Sequence, residues 1–412
     1  MKITPIFKIQ LIVLVAAIAI SMLVGCGGAK EEILVGAPMP LTGPYASDGE
    51  QMQWALEMAI EEQNAAGGVL GTPLRLIPGD VGALEAEKIK AVGERLVGEG
   101  VDVIITGYAD GGVDTRVFGE YDMPFLHGDA MTLSTELVAQ DPEKYGNVFQ
   151  FTPNEVAYAD DAVVRLFEIP DRIGWTPPNN KIAIVKVDYS YNVLAADRFG
   201  DLAEQQGYEV VVDEITQFGV VEWGPILSKI ADTQPAYVTF WNLDPTDASR
   251  FMIQFRETFP DGYNGIVYMQ YTPNIPEFRV LAGDSANGLF WATTVGLAKD
   301  VSDYDARWKA KFGDTPKSSY AYTTRDAFDI WVQAVEKAGC VDCYDLVIEN
   351  IRAASYDGMS GVYQFNQTDQ SILQGDDLVP TFWYQIWEGQ NVTIWPEKFE
   401  EAEPNLPPWI TP

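Results

Sequence analysis

Short apolar runs alternate with amphipathic stretches along most of this chain, and they do so in two successive series. In the first, Ile33–Ala37, Leu74–Ile77, Val101–Thr106 and Pro124–Leu126 read as strands, with helices over Glu50–Ala66 and Leu84–Gly98 between them. Met52, Ala55, Leu56, Ala59 and Ile60 fall at helical spacing and make one apolar stripe, which Gly67 and Gly68 end. Val101–Thr106 is almost wholly apolar, the pattern of a strand covered by helices on both faces. Such an alternation builds a parallel, doubly wound α/β sheet.

The second series begins after a boundary near Gln150–Asn154. Helices are expected at Val156–Phe167, Val193–Gln206 and Trp223–Ala231, and strands at Ile182–Val187, Tyr208–Val212, Ala236–Trp241 and Gly265–Met269. Asp244 and Pro245 open a further helix that reaches about Glu257, because an aspartate accepts the free N–H groups of a first turn and proline fits inside it. A third region, Gly288–Ser355, carries a strand and more helices. The stretch Gly361–Trp395 is β-rich, with strands at Val362–Phe365, Phe382–Trp387 and Val392–Trp395. The acidic, proline-rich end, Glu400–Pro412, is expected to be loosely held.

The first residues set the compartment. Lys2 and Lys8 precede an apolar run, Leu11–Val24, interrupted only by Ser21; this is the form of a secretory signal, too short for a secure membrane span. It ends in Leu23-Val24-Gly25-Cys26, which resembles the bacterial lipobox. That pattern implies cleavage after Gly25, so that residues 1–25 are a signal peptide, with acylation of Cys26 and a tether over residues 26–32. The alternative is an N-terminal membrane anchor with an incidental cysteine. Two or more acyl chains suffice for stable anchoring.

With 60 Asp+Glu against 27 Lys+Arg, the formal net charge of -33 excludes a nucleic-acid-binding role and disfavours anionic lipid surfaces except through a tether. A single histidine, His127, and three cysteines leave little for metal sites, histidine-dependent triads or a disulfide scaffold. In an extracytoplasmic chain, Cys340 and Cys343 fit a small local disulfide. A redox pair would open a helix directly after a strand, and zinc would lack further ligands. No nucleophile–base pair or metal cluster suggests an enzyme, and no cofactor is implied.

Pro40-Leu41-Thr42-Gly43-Pro44-Tyr45-Ala46, then Gly49 and a helix ending in Glu61-Glu62-Gln63-Asn64-Ala65-Ala66-Gly67-Gly68-Val69-Leu70-Gly71, resembles the opening of a known family. It is that of the branched-chain amino-acid-binding type of type I periplasmic substrate-binding proteins, the extracytoplasmic receptors of ABC importers. The likeness continues through Asp80, Val103–Gly107, Asp188–Tyr191, Asn287-Gly288 and the helix Tyr322–Gly339, and so covers most of residues 33–395. It implies two doubly wound lobes joined by three hinge crossovers: residues 33–152 and 286–360 in lobe 1, 153–285 and 361–399 in lobe 2, and a tail over 400–412. It also implies a small-molecule ligand taken into the interlobe cleft, with an ABC permease and ATPase as partners. A sensor on the same fold, signalling to a membrane receptor, is the alternative.

Ligands of open α/β sheets sit beyond the C-terminal strand ends. The loops expected there are Leu41–Gly49, Gly107–Gly112 and Gly128–Thr132 in one lobe, and Val187–Asn192, Trp241–Asp244 and Gln270–Thr272 in the other. Gly107-Tyr108-Ala109-Asp110-Gly111-Gly112 is either a backbone cradle for an anion or only a tight strand-to-helix turn. The resemblance assigns this loop and Gly128-Asp129-Ala130 to a ligand carboxylate. Asp110 and Asp129 depart from that, since acids repel a carboxylate and suit the N–H groups of an amide or amine. Tyr45, Tyr189, Tyr191, Trp241 and Asn242 are expected to wall the ligand because several converge on loop tips, although each aromatic taken singly is more often a core or ordinary surface residue. Gln270 stands where the family's amino-acid binders carry an acid for the ammonium, which favours an uncharged amide or urea-like ligand. Trp291 is expected on the hinge side.

Overall fold

A computed structural model describes residues 30–410. The leader and Cys26 lie outside the described residues. The first sheet contains β1 (Ile33–Met39), β2 (Leu74–Asp80), β3 (Val103–Thr106), β4 (Phe125–His127) and β5 (Val148–Gln150), all parallel, in the order β2-β1-β3-β4-β5. Helices α1 (Ala46–Ala65), α2 (Ala86–Gly98), α3 (Val113–Phe118) and α4 (Thr132–Gln140) connect them. Val103 and Ile105 pack into one apolar cluster and Ile104 into another on the opposite face. Both faces of β3 are therefore dry, which is why its sequence is an unbroken apolar run.

The chain crosses once after β5. Helix α5 (Glu155–Ile173) packs on α6 (Ser190–Gln205), and strands β6 (Lys181–Val187), β7 (Glu209–Thr216), β8 (Tyr237–Asn242), β9 (Ile266–Tyr271) and β10 (Phe290–Thr293) form the parallel part of a second sheet. Helix α5 runs beyond the expected end at Phe167, past Pro170, and stops at Gly174, whose φ of 65° is the left-handed conformation that closes a helix. Helices α7 (Gly224–Thr233), α8 (Pro245–Thr258) and α9 (Pro276–Ala282) complete this lobe. Asp244 caps α8 as its sequence indicates, accepting the N–H groups of Thr246 and Asp247 at 2.7 and 3.0 Å.

Two boundaries differ from those expected. The return to lobe 1 was placed from residue 286, but β10 pairs with β9, so the chain stays in the second sheet through Thr293. It then forms α10 (Ser302–Phe312), α11 (Tyr320–Ala338) and α12 (Tyr344–Arg352); α11 packs along α1 of the first lobe. The final entry into lobe 2 was placed at residue 361. Instead, the hairpin β11 (Ser355–Asp357) and β12 (Val362–Gln364) leads to Ser371, which bridges to Gln150 at the edge of the first sheet. Only β13 (Phe382–Trp387) and β14 (Gln390–Trp395) rejoin the second sheet, antiparallel, giving the order β14-β13-β10-β9-β8-β6-β7. An apolar run announces a strand, but not the sheet whose edge it completes.

The end of the chain is not loose through residue 410. Trp409 is buried; its indole N–H donates to the Gly265 carbonyl at 2.9 Å, and its own carbonyl accepts from the Tyr263 N–H at 2.7 Å. Arg172 holds Glu400 at 2.8 Å and Glu403 at 2.6 Å. The apolar Trp409 and Ile410 anchor a segment whose acidic, proline-rich composition argued the other way. Cys340 and Cys343 form a disulfide between α11 and α12. No helix among the described residues is long and apolar enough to cross a membrane.

Candidate functional site

The C-terminal ends of the two sheets face each other across a cleft, and hydrogen bonds join its two sides, besides those of Thr132 to Glu155 close to the first crossover. Tyr108 of lobe 1 donates to Asp48 Oδ2 at 2.8 Å, and the Tyr271 hydroxyl of lobe 2 lies against both the Tyr108 hydroxyl and Asp48 Oδ2, 3.3 Å from the latter, with its one proton to share between them. Ser47 donates to Glu277 at 3.1 Å, and Ser319 meets Asn274 at 3.0 Å. Burial pushes the Asp48 carboxyl up to about 6, an effect only partly offset by the hydroxyls that bond it. Tyr271 reaches this cluster with φ 59° and ψ −49°, a left-handed backbone that a tyrosine adopts only when its surroundings enforce it.

Beside this cluster a cavity lies between the lobes. Seven tyrosines line it: Tyr45, Tyr108, Tyr158, Tyr189, Tyr191, Tyr271 and Tyr320. Leu84, Leu243, Met131 and Val295 add apolar wall, and Ala109, Gly128, Asp129, Ala130 and Thr294 complete it. Gly128 is explained by a close approach: a Cβ there would sit 2.3 Å from the Gly107 carbonyl oxygen, while one on Gly107 would press on Tyr320 and Met52 at 2.7 and 2.8 Å. Glycine at 128 lets the two strand-end loops come together, and both loops line the cavity, through Tyr108 and Ala109 in one and Gly128, Asp129 and Ala130 in the other.

The Asp129 end of the cavity is acidic. Asp129 is 7% exposed; its Oδ2 accepts from Ser134, its N–H donates to His127 Nδ1 at 3.3 Å, and its Oδ1 is buried without a partner. Burial, reinforced by Asp114, Glu155 and Asp110, holds the Asp129 carboxyl far above the usual carboxylate range. Burial likewise raises Asp114 to about 7 and Glu155 to about 7, although Asp114 accepts from the Asp110 N–H at 2.7 Å and Glu155 from the Thr132 N–H at 2.6 Å. His127, pushed down to about 3 by burial, is neutral and holds the Asp129 loop.

Of the residues expected at the site, Tyr45, Tyr108, Ala109, Gly128, Asp129, Ala130, Tyr189 and Tyr191 line the cavity. Asp110 lies just outside, in a groove at the mouth with Pro44, Asp244 and Phe218. Four others do not reach it. Trp241 is fully buried in the lobe 2 core, with its indole N–H on Thr239 at 3.0 Å. Asn242 accepts the Asp244 N–H at 2.7 Å and shapes the start of α8. Gln270 stands behind the wall, donating to the Tyr191 hydroxyl at 3.0 Å, so it bears on that wall residue and leaves the ligand's charge undecided. Trp291 stacks on Tyr384 with ring centres 4.5 Å apart and donates to Asn391 at 3.2 Å.

One physical reason covers three of these corrections. The strands run longer than their apolar runs suggested, so Trp241, Gln270 and Trp291 are still paired within the sheet and covered by packed elements. The cavity starts at the strand tips: Leu243 after β8, Tyr271 at the end of β9, and Thr294 and Val295 after β10. Met131, Leu243 and Tyr271 lay in loops already singled out. Tyr158 and Tyr320 sit on helices, where nothing local separates a cavity residue from a core one. Tyr158 accepts the Thr294 N–H at 3.1 Å and so fixes that part of the wall.

A periplasmic binding protein family model matches residues 32–376. The chain belongs to the periplasmic binding protein family. It is 23% identical over 410 residues to the Leu/Ile/Val-binding protein homolog 7 of Brucella melitensis, across 96% of this chain and 99% of that one. It is 25% identical over 390 residues to homolog 8 of Brucella abortus, covering 90% and 92%. Among solved structures, a candidate branched-chain amino acid ABC transporter protein from Silicibacter pomeroyi superposes with a TM-score of 0.84 at 30% identity, covering 92% of this chain and all of that one (100%). The fold is shared at lower identity, 17%, with the branched-chain amino acid transporter substrate-binding protein of Streptococcus pneumoniae in complex with isoleucine, at a TM-score of 0.70 and coverage of 92% and 100%. Members of this family are extracytoplasmic solute-binding proteins rather than enzymes.

Proposed function

We propose that this chain is the lipid-anchored solute receptor of an ABC importer, which closes on a small polar ligand between its lobes and presents it to the permease. The observation that carries the reading is the tyrosine-lined cavity between the strand tips of two sheets, with side chains from both lobes in its wall. A ligand that touches both walls stabilises the closed form over the open one, and only that differential contact shifts the hinge equilibrium. Tyr189, Tyr191, Leu243 and Tyr271 are the lobe 2 contacts and Tyr45, Tyr108, Ala109, Asp129 and Ala130 the lobe 1 contacts in this reading. The sequence around Cys26 supports an acyl mooring that keeps an acidic body at the membrane face.

Solute screening of the full-length protein in detergent tests the receptor role. A true ligand at about 100 times its dissociation constant adds roughly 2.7 kcal/mol to unfolding and makes the particle more compact by small-angle scattering. Stabilisation with no change in the scattering curve would speak against hinge closure. Labelling cells with a tagged fatty acid checks the anchor: wild type takes up the label and Cys26→Ser does not.

A further inference from the structure

The cavity has an acidic end and no basic side chain to balance it. Among the described residues, no Lys, Arg or His lines it. The charged groups that bear on Asp129 are Asp114, Glu155 and Asp110, all acids, while its remaining neighbours Ser134 and His127 are neutral. Asp129 is nine-tenths buried, and its Oδ1 has no hydrogen-bond partner although Oδ2 and the backbone N–H are both engaged. A buried acceptor left open in an otherwise bonded residue costs stability unless something else fills it. The other walls are tyrosine rings, whose faces attract cations and whose edges exclude water.

A carboxylate placed here would meet an acid with only acids around it. A cation would meet a carboxyl oxygen that no other protein group engages and that becomes an acceptor once Asp129 gives up its proton. The geometry points to a ligand that is a small organic cation without a carboxylate, an amine or amidine on a short apolar body, with its nitrogen against the Asp129 carboxyl. This rests on the solute-receptor reading and names the ligand class of that same cavity. Binding such a cation draws the proton from Asp129, so cation affinity rises with pH while a neutral isostere is indifferent. The lobe 2 side adds Tyr189, whose own ionisation is suppressed by burial and by these acids, so it stays a neutral wall.

Four molecules with one hydrocarbon body separate the charge classes: isoamylamine, isovaleramide, isovalerate and leucine. Titration calorimetry on the full-length protein in detergent is expected to show isoamylamine binding at least about tenfold tighter than the amide, with isovalerate and leucine weaker still. Asp129→Asn should weaken the amine on the order of 10- to 100-fold and the amide less than about threefold. In wild type the ratio of amine to amide affinity should climb between pH 5 and 8; in Asp129→Asn it should stay flat. If the substituted protein fails to fold, the wild-type ratio decides alone, and a flat ratio overturns the proposal. Tightest binding of leucine or isovalerate overturns the cation assignment and leaves the receptor role standing. If none of the four binds, nor any of a wider panel of cationic, neutral and anionic solutes, both readings fall.

Discussion

The two walls of the cavity are built alike, from loops at the C-terminal ends of parallel strands, yet they carry different chemistry. Lobe 1 brings carboxyls: Asp48 at the interlobe cluster, Asp129 in the wall, Asp110 at the mouth and Asp114 behind. Lobe 2 brings Tyr189, Tyr191, Leu243 and Tyr271. The lobe 1 acids Asp129 and Asp114 are held by donors of their own lobe, Ser134 and the Asp110 N–H, so their positions do not depend on closure. The lobe 2 wall itself is uncharged; its acids, Asp244 at the mouth and Glu155 behind the Asp129 loop, stand outside it. On the reading proposed above, one lobe discriminates by charge and the other adds buried surface when it closes. An open hinge would then keep its selectivity and lose much of its affinity.

The largest effect expected separates core from wall within lobe 2. Trp241 is packed against Phe199 and Tyr268, at ring distances of 5.5 and 5.7 Å. Trp241→Ala should cost about 3–5 kcal/mol of unfolding free energy in a urea titration, whereas Tyr189→Ala should lower ligand affinity with little change in the midpoint. The reverse pattern would return Trp241 to the cavity wall and erase the division between sheet interior and strand tip.

A second, intermediate effect tests the acidic wall. The folded-state carboxyls of Asp48, Asp114 and Glu155 lie above their ordinary values, so the folded protein holds protons that the unfolded chain has released. Their contribution is full below about pH 4, where both states are protonated, and is lost as pH rises through about 6 to 7. Unfolding free energy should therefore fall across this window. Asp48→Asn should flatten the fall by roughly 1–3 kcal/mol, read as a smaller difference between denaturation midpoints at pH 4.5 and 7.5. An unchanged pH slope would mean that Asp48 is solvated rather than enclosed between the lobes.

The smallest effect belongs to the rim. Ser47 and Glu277 are joined at an exposed edge of the cleft, where such a contact contributes only about 0–1 kcal/mol. Glu277→Ala should move the melting midpoint by less than about 2 °C and ligand affinity by less than about threefold. A larger loss would shift the source of closure from the buried tyrosine cluster to the rim.

Much of the site was legible as loops, and less of it as residues. Gly107–Gly112 and Gly128–Thr132 were recognisable because glycines and a change of periodicity mark where a strand gives way to a helix, and both contribute to the wall. In lobe 2 Tyr189 and Tyr191 do line the cavity, but at the ends of β8 and β9 the right loops were marked and the wrong positions chosen, because residue type there does not tell whether a side chain faces the cavity or the sheet interior. Tyr158 and Tyr320 carried no signal, since their role comes from helices meeting the strand tips of distant segments.

The amino-acid order by itself determined that there would be two α/β lobes, where their helices and strands would lie, and which loops would gather at the cleft. Those features follow from spacings of two to four residues, which the local sequence fully expresses. The tertiary structure alone decided that β10 stays with the second sheet, that Ser371 returns to the first, that Trp409 docks the tail, and that Leu243, Tyr271 and Thr294 rather than Trp241, Gln270 and Trp291 face the cavity. Each of those outcomes depends on pairing or packing between segments far apart in the chain, and no local period encodes which partner a strand edge or a ring will meet.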